Sequence, residues 1–317
     1  MNAPDKGGSV THSSTSPIQR RLSLLSAHLV VALIALVVIG GATRVMEAGL
    51  ACPDWPLCYG TFLPGRQMNL QVFLEWFHRL DAFVVGLALM VMAVTSIVWR
   101  HLLPRWLPWL SCALVVMVAL QGLLGALTVL HLLESSVVTA HMLLALTLVA
   151  ALSGLTQRLR QGQSGVAPLW WRSGAAIALI GVTGQCLVGA RMATSWAAQR
   201  CLASGEGCQW LVLHRATATP VALTVLLFAA ISLAVAGWTR QQWPFLLGLI
   251  LLVTAQVGLG VLTLRLGLNQ PAVTIAHQLL AALLVALLAA LLVRRPDNPS
   301  SSSQVVADDV SLEPCHG

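Results

Sequence analysis

Four histidines form two pairs that repeat along the chain. His78 and His141 are 63 residues apart, as are His214 and His277, and the second pair follows the first at an offset of 136. A neutral imidazole ring is a common metal ligand. A single histidine in an apolar segment is more often an ordinary hydrogen-bonded residue, but four histidines at one offset favour two pairs of metal ligands.

The composition places these histidines in membrane-spanning helices. The chain is 57% hydrophobic and 9% charged, whereas about a quarter of the residues in a soluble domain are charged. The apolar residues fall in runs of about 20, the length that a helix needs to cross a bilayer. The sequence predicts an all-α integral membrane protein with eight transmembrane helices, at 22–46, 72–99, 107–130, 137–157, 174–192, 212–237, 244–264 and 272–293.

The basic residues set the predicted orientation. With the N-terminus in the cytoplasm, eleven of the 18 Lys and Arg residues lie on the cytoplasmic side, in agreement with the positive-inside rule. The prediction is a multi-pass protein of the plasma (inner) membrane with both termini cytoplasmic. Because the basic residues lie at helix ends and not on one face, the net charge of +7 does not indicate nucleic-acid binding.

The repeat divides the chain into two related four-helix halves. Three more residues recur at an offset of 135: Gln121, Gly125 and Thr128 as Gln256, Gly260 and Thr263. The segment 41–44 likewise resembles 189–191. Four spans per half bring both halves into the membrane from the same side, so two pseudo-symmetric bundles related by an axis along the membrane normal are expected. The predicted order is a cytoplasmic tail, the N-terminal half, a cytoplasmic linker, the C-terminal half and a disordered cytoplasmic tail, at 1–21, 22–157, 158–173, 174–293 and 294–317.

The helix directions bring the two histidines of each half to the same depth. In each half, both histidines stand near the outer start of helices that run in the same direction, so they can face one another inside a four-helix bundle. A polar ring in hydrocarbon is costly unless it is paired or ligated. Two neutral imidazoles suit the iron of a porphyrin, whose flat apolar ring fills a gap between helices. The sequence therefore predicts one haem site per half.

Arginines and one carboxylate stand beside the predicted ligands. Arg79 and Arg215 each follow a histidine and either bind haem propionates or extend to the interface as ordinary basic side chains; Arg44 and Arg191 are weaker candidates. Glu75 lies one helical turn before His78, whereas the position 136 residues later is Leu211. Only the N-terminal half therefore has an ionisable group for proton transfer or charge stabilisation, unless Glu75 merely pairs with a neighbouring arginine.

The cysteines divide into loop pairs and single residues. Cys52 and Cys58 lie in one long outer loop and Cys201 and Cys208 in the other, where an oxidising face favours two disulfides. The remaining cysteines are interpreted as unpaired: Cys112, Cys186 and Cys315. The Cys315-His316 pair at the end of the chain could bind metal, although a solvated tail is the simpler interpretation.

Together these motifs resemble the haem A synthase family over about residues 22–293. The resemblance is carried by Gly-Ala-Thr-Arg at 41–44, by Cys-Pro-Asp-Trp-Pro-Leu-Cys at 52–58, by Glu75-x-x-His78-Arg79, by Ala-His at 140–141 and 276–277, and by His214-Arg215. It implies an enzyme that oxidises the C8 methyl group of haem O twice, through an alcohol and a hydrate, to the formyl group of haem A. It also implies assembly partners for cytochrome oxidase and a haem O synthase as neighbours, while the electron donor and a homo-oligomeric state stay open.

The same resemblance assigns roles to the candidate residues. It implies that His214 and His277 hold a permanent haem b and that His78 and His141 take the substrate haem O. It makes Glu75 the catalytic carboxylate. The cysteine pairs are interpreted as structural clips, with a redox role as the alternative.

Two other functions compete with this interpretation. A bis-histidine membrane cytochrome that only transfers electrons would also have two haem sites, but it has little need of Glu75 in one half and Leu211 in the other. A secondary transporter would place its polar residues at the membrane midplane, whereas here they cluster near the outer surface.

Overall fold

In the computed structural model, the described residues are 16–161, 165–194, 197–205 and 208–296, and their regular structure is helical. The helices are α1 (Pro17–Val45), α2 (Leu70–Val98), α3 (Leu107–Leu130), α4 (Ser135–Arg160), α5 (Leu169–Thr194), α6 (Ala197–Ser204), α7 (Cys208–Ala234), α8 (Trp238–Gln241), α9 (Trp243–Arg265) and α10 (Pro271–Val293). Two short 3-10 helices lie at Gly65–Gln67 and Arg100–Leu102.

All eight predicted spans are confirmed as helices long and apolar enough to cross a membrane: α1, α2, α3, α4, α5, α7, α9 and α10. Several extend a few residues beyond the apolar run, because a helix continues into the polar region until a cap ends it. The short helices α6 and α8 were not predicted. The terminal residues 1–15 and 297–317, with the predicted tail disorder and the Cys315-His316 pair, lie outside the described residues.

The helix starts follow from local sequence. Ser16 caps α1 by accepting a hydrogen bond from the backbone N–H of Gln19 at 3.2 Å, and Asn69 caps α2 by accepting from Val72 at 2.9 Å. Such side chains satisfy backbone donors that the first helical turn leaves unpaired. Helices α1, α3, α9 and α10 also have proline in their first two positions, where its missing N–H costs nothing.

Three helices end on the same side of the bundle with the same hydrogen bonds. The carbonyls of Thr43, Thr128 and Thr263 accept from the backbone N–H five residues later, at 2.7, 2.7 and 3.1 Å. The residues at or before these donors have positive φ: Glu47 at 55°, Leu133 at 63° and Leu268 at 64°. A left-handed residue closes a helix in this way. We call this side of the bundle, which also carries both cysteine loops, the loop side.

The helices contact one another in the same order in both halves. In the N-terminal half α1 contacts α2 and α4, and α3 contacts α2 and α4. In the C-terminal half α5 contacts α7 and α10, and α9 contacts α7 and α10. Each half is therefore a closed ring of four helices.

The halves meet through α4 and α10, with α1 against α10 and α5 against α4. These contacts interchange when the halves are exchanged, as two-fold pseudo-symmetry requires. Two buried hydrogen bonds join the halves: Ser153 Oγ donates to the Ala286 carbonyl at 2.6 Å, and Trp171 Nε1 donates to the Leu291 carbonyl at 2.9 Å. The outer helix pairs α2–α3 and α7–α9 lie away from this interface.

Candidate functional site

The four predicted ligands lie at similar depth on the loop side. His141, His214 and His277 each come six residues after the first residue of α4, α7 and α10, and His78 comes eight residues after the first residue of α2. At 1.5 Å per residue this is about 9–12 Å from each helix start. The helix register therefore brings the members of each pair to one level inside their bundle.

Within each half the two imidazoles are neighbours. His78 and His141 are close enough to influence each other electrostatically, and so are His214 and His277. The Nδ1 atoms of His78 and His141 are buried and have no hydrogen-bond partner. A buried polar atom without a partner costs free energy, and coordination to a metal would remove that cost. These two residues therefore fit a haem ligand pair.

No bare-ion site competes with this arrangement in the described part of the chain, where no three His, Cys, Asp or Glu side chains converge on one point. Two imidazoles per half suit a metal whose remaining ligands come from a porphyrin. An apolar cleft of about 300 Å³ also opens between α7 and α9, lined by residues that include Ala218 and Thr254. Ala218 lies one turn deeper than His214, so an apolar ring bound at His214 would extend towards this cleft.

Each imidazole lies against a glycine of a neighbouring helix. A Cβ atom at Gly40, Gly125, Gly189 or Gly260 would lie 3.2, 3.4, 2.9 or 3.1 Å from Cε1 of His78, His141, His214 or His277, respectively. The absent side chain leaves room for the ring edge-on to the helix backbone. The recurring Gly125 and Gly260 of the sequence are thereby explained, and the segment comparison of 41–44 with 189–191 is wrong by one residue, since Gly40 and not Gly41 corresponds to Gly189.

Three of the four imidazoles are held by a glutamine four residues before the contacting glycine. Gln121 Nε2 lies 3.2 Å from His141 Nε2, Gln185 Nε2 lies 3.1 Å from His214 Nδ1, and Gln256 Nε2 lies 3.3 Å from His277 Nε2. Gln121 and Gln185 also donate to the backbone carbonyl of the histidine that they contact. We call this arrangement the Gln-x-x-x-Gly clamp. Sequence analysis noted two of these glutamines as repeats but missed Gln185.

Glu75 is buried, with 5% of its surface exposed, and is held from two sides. Its Oε2 accepts a hydrogen bond from the backbone N–H of Cys52 at 2.8 Å, and its Oε1 forms an ion pair with Arg79. Charge-assisted bonds of this kind stabilise the ionised carboxylate. The suggested pairing of Glu75 with an arginine is thus present, and it coexists with a position one turn from His78.

Arg79 is directed to the first cysteine loop. Its guanidinium donates to the carbonyl of Asp54 at 2.6 Å and to that of Leu57 at 2.5 Å, besides pairing with Glu75. Cys52 and Cys58 form a disulfide that closes this loop. Arg79 therefore fastens the loop over the N-terminal site, a role that sequence analysis did not foresee for this propionate-binding candidate.

The carboxylate of Asp54 stabilises the same loop from within. It accepts backbone hydrogen bonds from Tyr59 at 2.6 Å and from Gly60 at 2.8 Å. The bond from Gly60 is the main reason that the pKa of Asp54 lies below its usual value, and the bond from Tyr59 and the charge of Arg79 add to it. The loop is thereby ordered around an ionised side chain.

The C-terminal site has no such carboxylate network. Leu211 is buried at the position equivalent to Glu75, and Cys201 and Cys208 form the disulfide of the second loop. Arg215 is exposed and forms no ion pair within the described ranges. The other two propionate-binding candidates lie near the loop side: Arg191 is 5.8 Å from the ring centre of Trp210, and Arg44 donates to the carbonyl of Ala193.

The fold and the site define a class of protein: an eight-span membrane protein with paired buried histidines in two related bundles. Comparison with known proteins gives the family. Residues 21–289 match the family described as cytochrome oxidase assembly protein, COX15-CtaA. The chain belongs to this haem A synthase family of membrane enzymes.

Individual relatives carry the same name. The chain is 30% identical to the haem A synthase of Sphingopyxis alaskensis, with 89% of this chain and 94% of the relative covered. It is 30% identical to that of Shewanella oneidensis over 53% of this chain and 55% of the relative, and 37% identical to that of Bacillus pumilus over 30% and 31%.

Proposed function

We propose that this chain is a haem A synthase, a membrane oxidoreductase that converts the C8 methyl group of haem O to a formyl group by two successive hydroxylations with the help of a bound haem b. The observation that carries the proposal is the pair of buried, unpartnered imidazole nitrogens of His78 and His141 beside the held carboxylate of Glu75. Family membership makes haem O the substrate to which this site is matched.

The two halves divide the work in this proposal. The N-terminal half takes haem O between His78 and His141, and the C-terminal half keeps haem b between His214 and His277. Bound haem b supplies one-electron redox chemistry close to the substrate site. The difference between Glu75 and Leu211 favours this division, because only the N-terminal half has an ionisable group beside its ligands.

The protein residues orient the substrate and manage charge. The glycines admit the imidazole rings, and the glutamines orient three of them. Each hydroxylation is a two-electron oxidation of the methyl carbon that also releases protons, and the hydrate formed by the second then loses water. Glu75, ionised and fixed by Cys52 and Arg79, is placed to accept a proton or to stabilise positive charge that develops beside the ring. The loop that Arg79 fastens excludes water from this side.

The site lies on the outer side of the inner membrane in this proposal, with both termini cytoplasmic. Basic residues at the ends opposite the loop side support the orientation: Arg158 and Arg160 end α4, and Arg294 and Arg295 follow α10. The disulfides on the loop side support it too, because such bonds persist in oxidising compartments. A haem O synthase would supply the substrate, and cytochrome oxidase assembly factors would receive the product.

The test is co-expression with a haem O synthase in cells that make no haem A of their own, followed by extraction of the haems. Haem A is expected with the wild-type chain and none with His78→Ala or His141→Ala. Failure to detect haem A or a hydroxylated intermediate with the wild type, in protein that carries haem, would leave the electron-transfer cytochrome as the better interpretation.

A further inference from the structure

One of the four imidazoles lacks the Gln-x-x-x-Gly clamp. Gln185 precedes Gly189 by four residues, and Gly189 contacts His214. In the N-terminal half Gly40 contacts His78 in the same way, but the residue four positions earlier is Leu36. Residues four apart lie on the same face of a helix. A leucine that cannot donate a hydrogen bond therefore occupies the place of the clamping amide.

The residue that orients the clamp is also different in this half. Thr217 Oγ donates to Gln185 Oε1 at 2.6 Å and so fixes the amide with its NH₂ group towards His214. Thr217 comes three residues after His214, and the residue three after His78 is Asp81. An ionised carboxylate has no hydrogen to donate. Both parts of the clamp are thus replaced at once.

The consequence is visible at His78 itself. Neither nitrogen of its ring has a hydrogen bond to any residue that the structure describes, and Nδ1 is buried. The other three imidazoles each have at least one nitrogen held by a glutamine. A second hydrogen bond to a ligating imidazole fixes its orientation and strengthens it as a ligand. His78 has no such support.

We propose that the clamp determines how firmly each histidine is held on iron, and that Leu36 makes His78 the exchangeable ligand. This proposal rests on the proposed function, because it takes the four histidines as haem ligands. The N-terminal haem can then release His78 and accept a small external ligand, whereas the C-terminal haem keeps both histidines. Coordination opens at the site that must react and stays closed at the site that only carries electrons.

Carbon monoxide is the probe, because it binds a reduced six-coordinate haem only after a histidine has left the iron. Purified full-length protein loaded with haem O and haem b is reduced and mixed with carbon monoxide, and the number of reacting haems and their rates are read from the Soret spectrum. One reacting haem per chain is expected for the wild type. Gln185→Leu is expected to raise this number to two, because it removes the clamp on His214.

The reciprocal variant transplants the clamp. Leu36→Gln combined with Asp81→Thr should slow the reaction of the N-terminal haem about 5-fold, which corresponds to one hydrogen bond of about 1 kcal/mol. Leu36→Met, which has a similar length but no donor, and Asp81→Thr alone are the controls and should react like the wild type. If the double variant does not fold, the count for Gln185→Leu decides the question alone.

The outcomes separate the two proposals. Equal reactivity of both haems in the wild type, or an unchanged count in Gln185→Leu, would overturn the clamp proposal while haem A formation in cells still supported the enzyme. A wild-type chain that binds no haem at these histidines would overturn both. A single reacting haem that responds to both substitutions in opposite directions would establish His78 as the exchangeable ligand.

Discussion

The backbone N–H of Cys52 donates to the carboxylate of Glu75 over 2.8 Å, although 23 residues separate them in sequence. The disulfide from Cys52 to Cys58 closes the loop that supplies this donor, and Arg79 binds two further carbonyls of the same loop. The position of the carboxylate beside the N-terminal histidines therefore depends on how the first cysteine loop is folded.

Opening the first disulfide is expected to misplace Glu75. We predict that Cys52→Ser with Cys58→Ser lowers haem A formation about 10- to 100-fold, the cost of a small displacement of a catalytic group, while haem content is retained. The measurement is haem A per bound haem in co-expressing cells. Cys201→Ser with Cys208→Ser is the matched control, because the second loop holds no carboxylate. An equal loss in both double variants would mean that the disulfides act only on general stability.

Arg79 and Arg215 are expected to differ sharply although each follows a predicted ligand. Arg79→Lys loses the planar donors that reach Asp54 and Leu57, and a lysine cannot restore them. We predict that it lowers the free energy of unfolding by about 2 kcal/mol and reduces haem A formation, as measured by thermal unfolding and haem extraction. Arg215→Lys should leave stability unchanged. Equal effects on stability would contradict the loop-fastening role.

Replacing Glu75 by glutamine should separate binding from chemistry. Glu75→Gln keeps the size of the side chain and an acceptor for the Cys52 N–H, but it removes the charge opposite Arg79. We predict normal haem content with haem A formation reduced at least about 100-fold, within the range for loss of a general acid or base. The Soret spectrum and extracted haems measure the two properties. A parallel fall of haem content and haem A would make Glu75 a structural residue only.

A methyl group at Gly189 should disturb the C-terminal haem. Its Cβ would lie 2.9 Å from His214 Cε1 in Gly189→Ala, so the ring must move. Overpacking of this size costs about 1–3 kcal/mol, and we predict about 10-fold weaker haem retention, measured by haem transfer to an apo-globin acceptor. Gly184→Ala in the same helix is the control, since a Cβ there meets no atom within 4 Å. Identical retention in the two variants would show that His214 does not depend on this contact.

The spans and the level of the histidines could be predicted because both depend on local sequence. A run of apolar residues defines each membrane helix whatever its neighbours, and the distance of a histidine from its helix start gives its depth. The repeat supplied the rest of the frame: one offset served α2, α4, α7 and α10.

The clamp on His214 could not be found in the same way. Gly40 lies 38 residues before His78, but Gly189 lies only 25 residues before His214, because the two loops that follow α1 and α5 differ in length. A search at a fixed offset therefore misses Gln185. The role of Arg79 was missed for another reason: its partners are backbone carbonyls of a loop, and carbonyls leave no signature in a sequence.

Gly41, next to the glycine that contacts His78, is where α1 and α10 approach most closely across the two halves. A Cβ on Gly41 would fall 1.3 Å from Oε1 of Gln278, the residue that follows His277. Two covalent steps and one packing contact thus connect the backbone beside one imidazole to the backbone beside the other. An electron that leaves one iron for the other would need no water, no loop and no third cofactor, and any side chain larger than hydrogen at residue 41 would widen the only gap in that path.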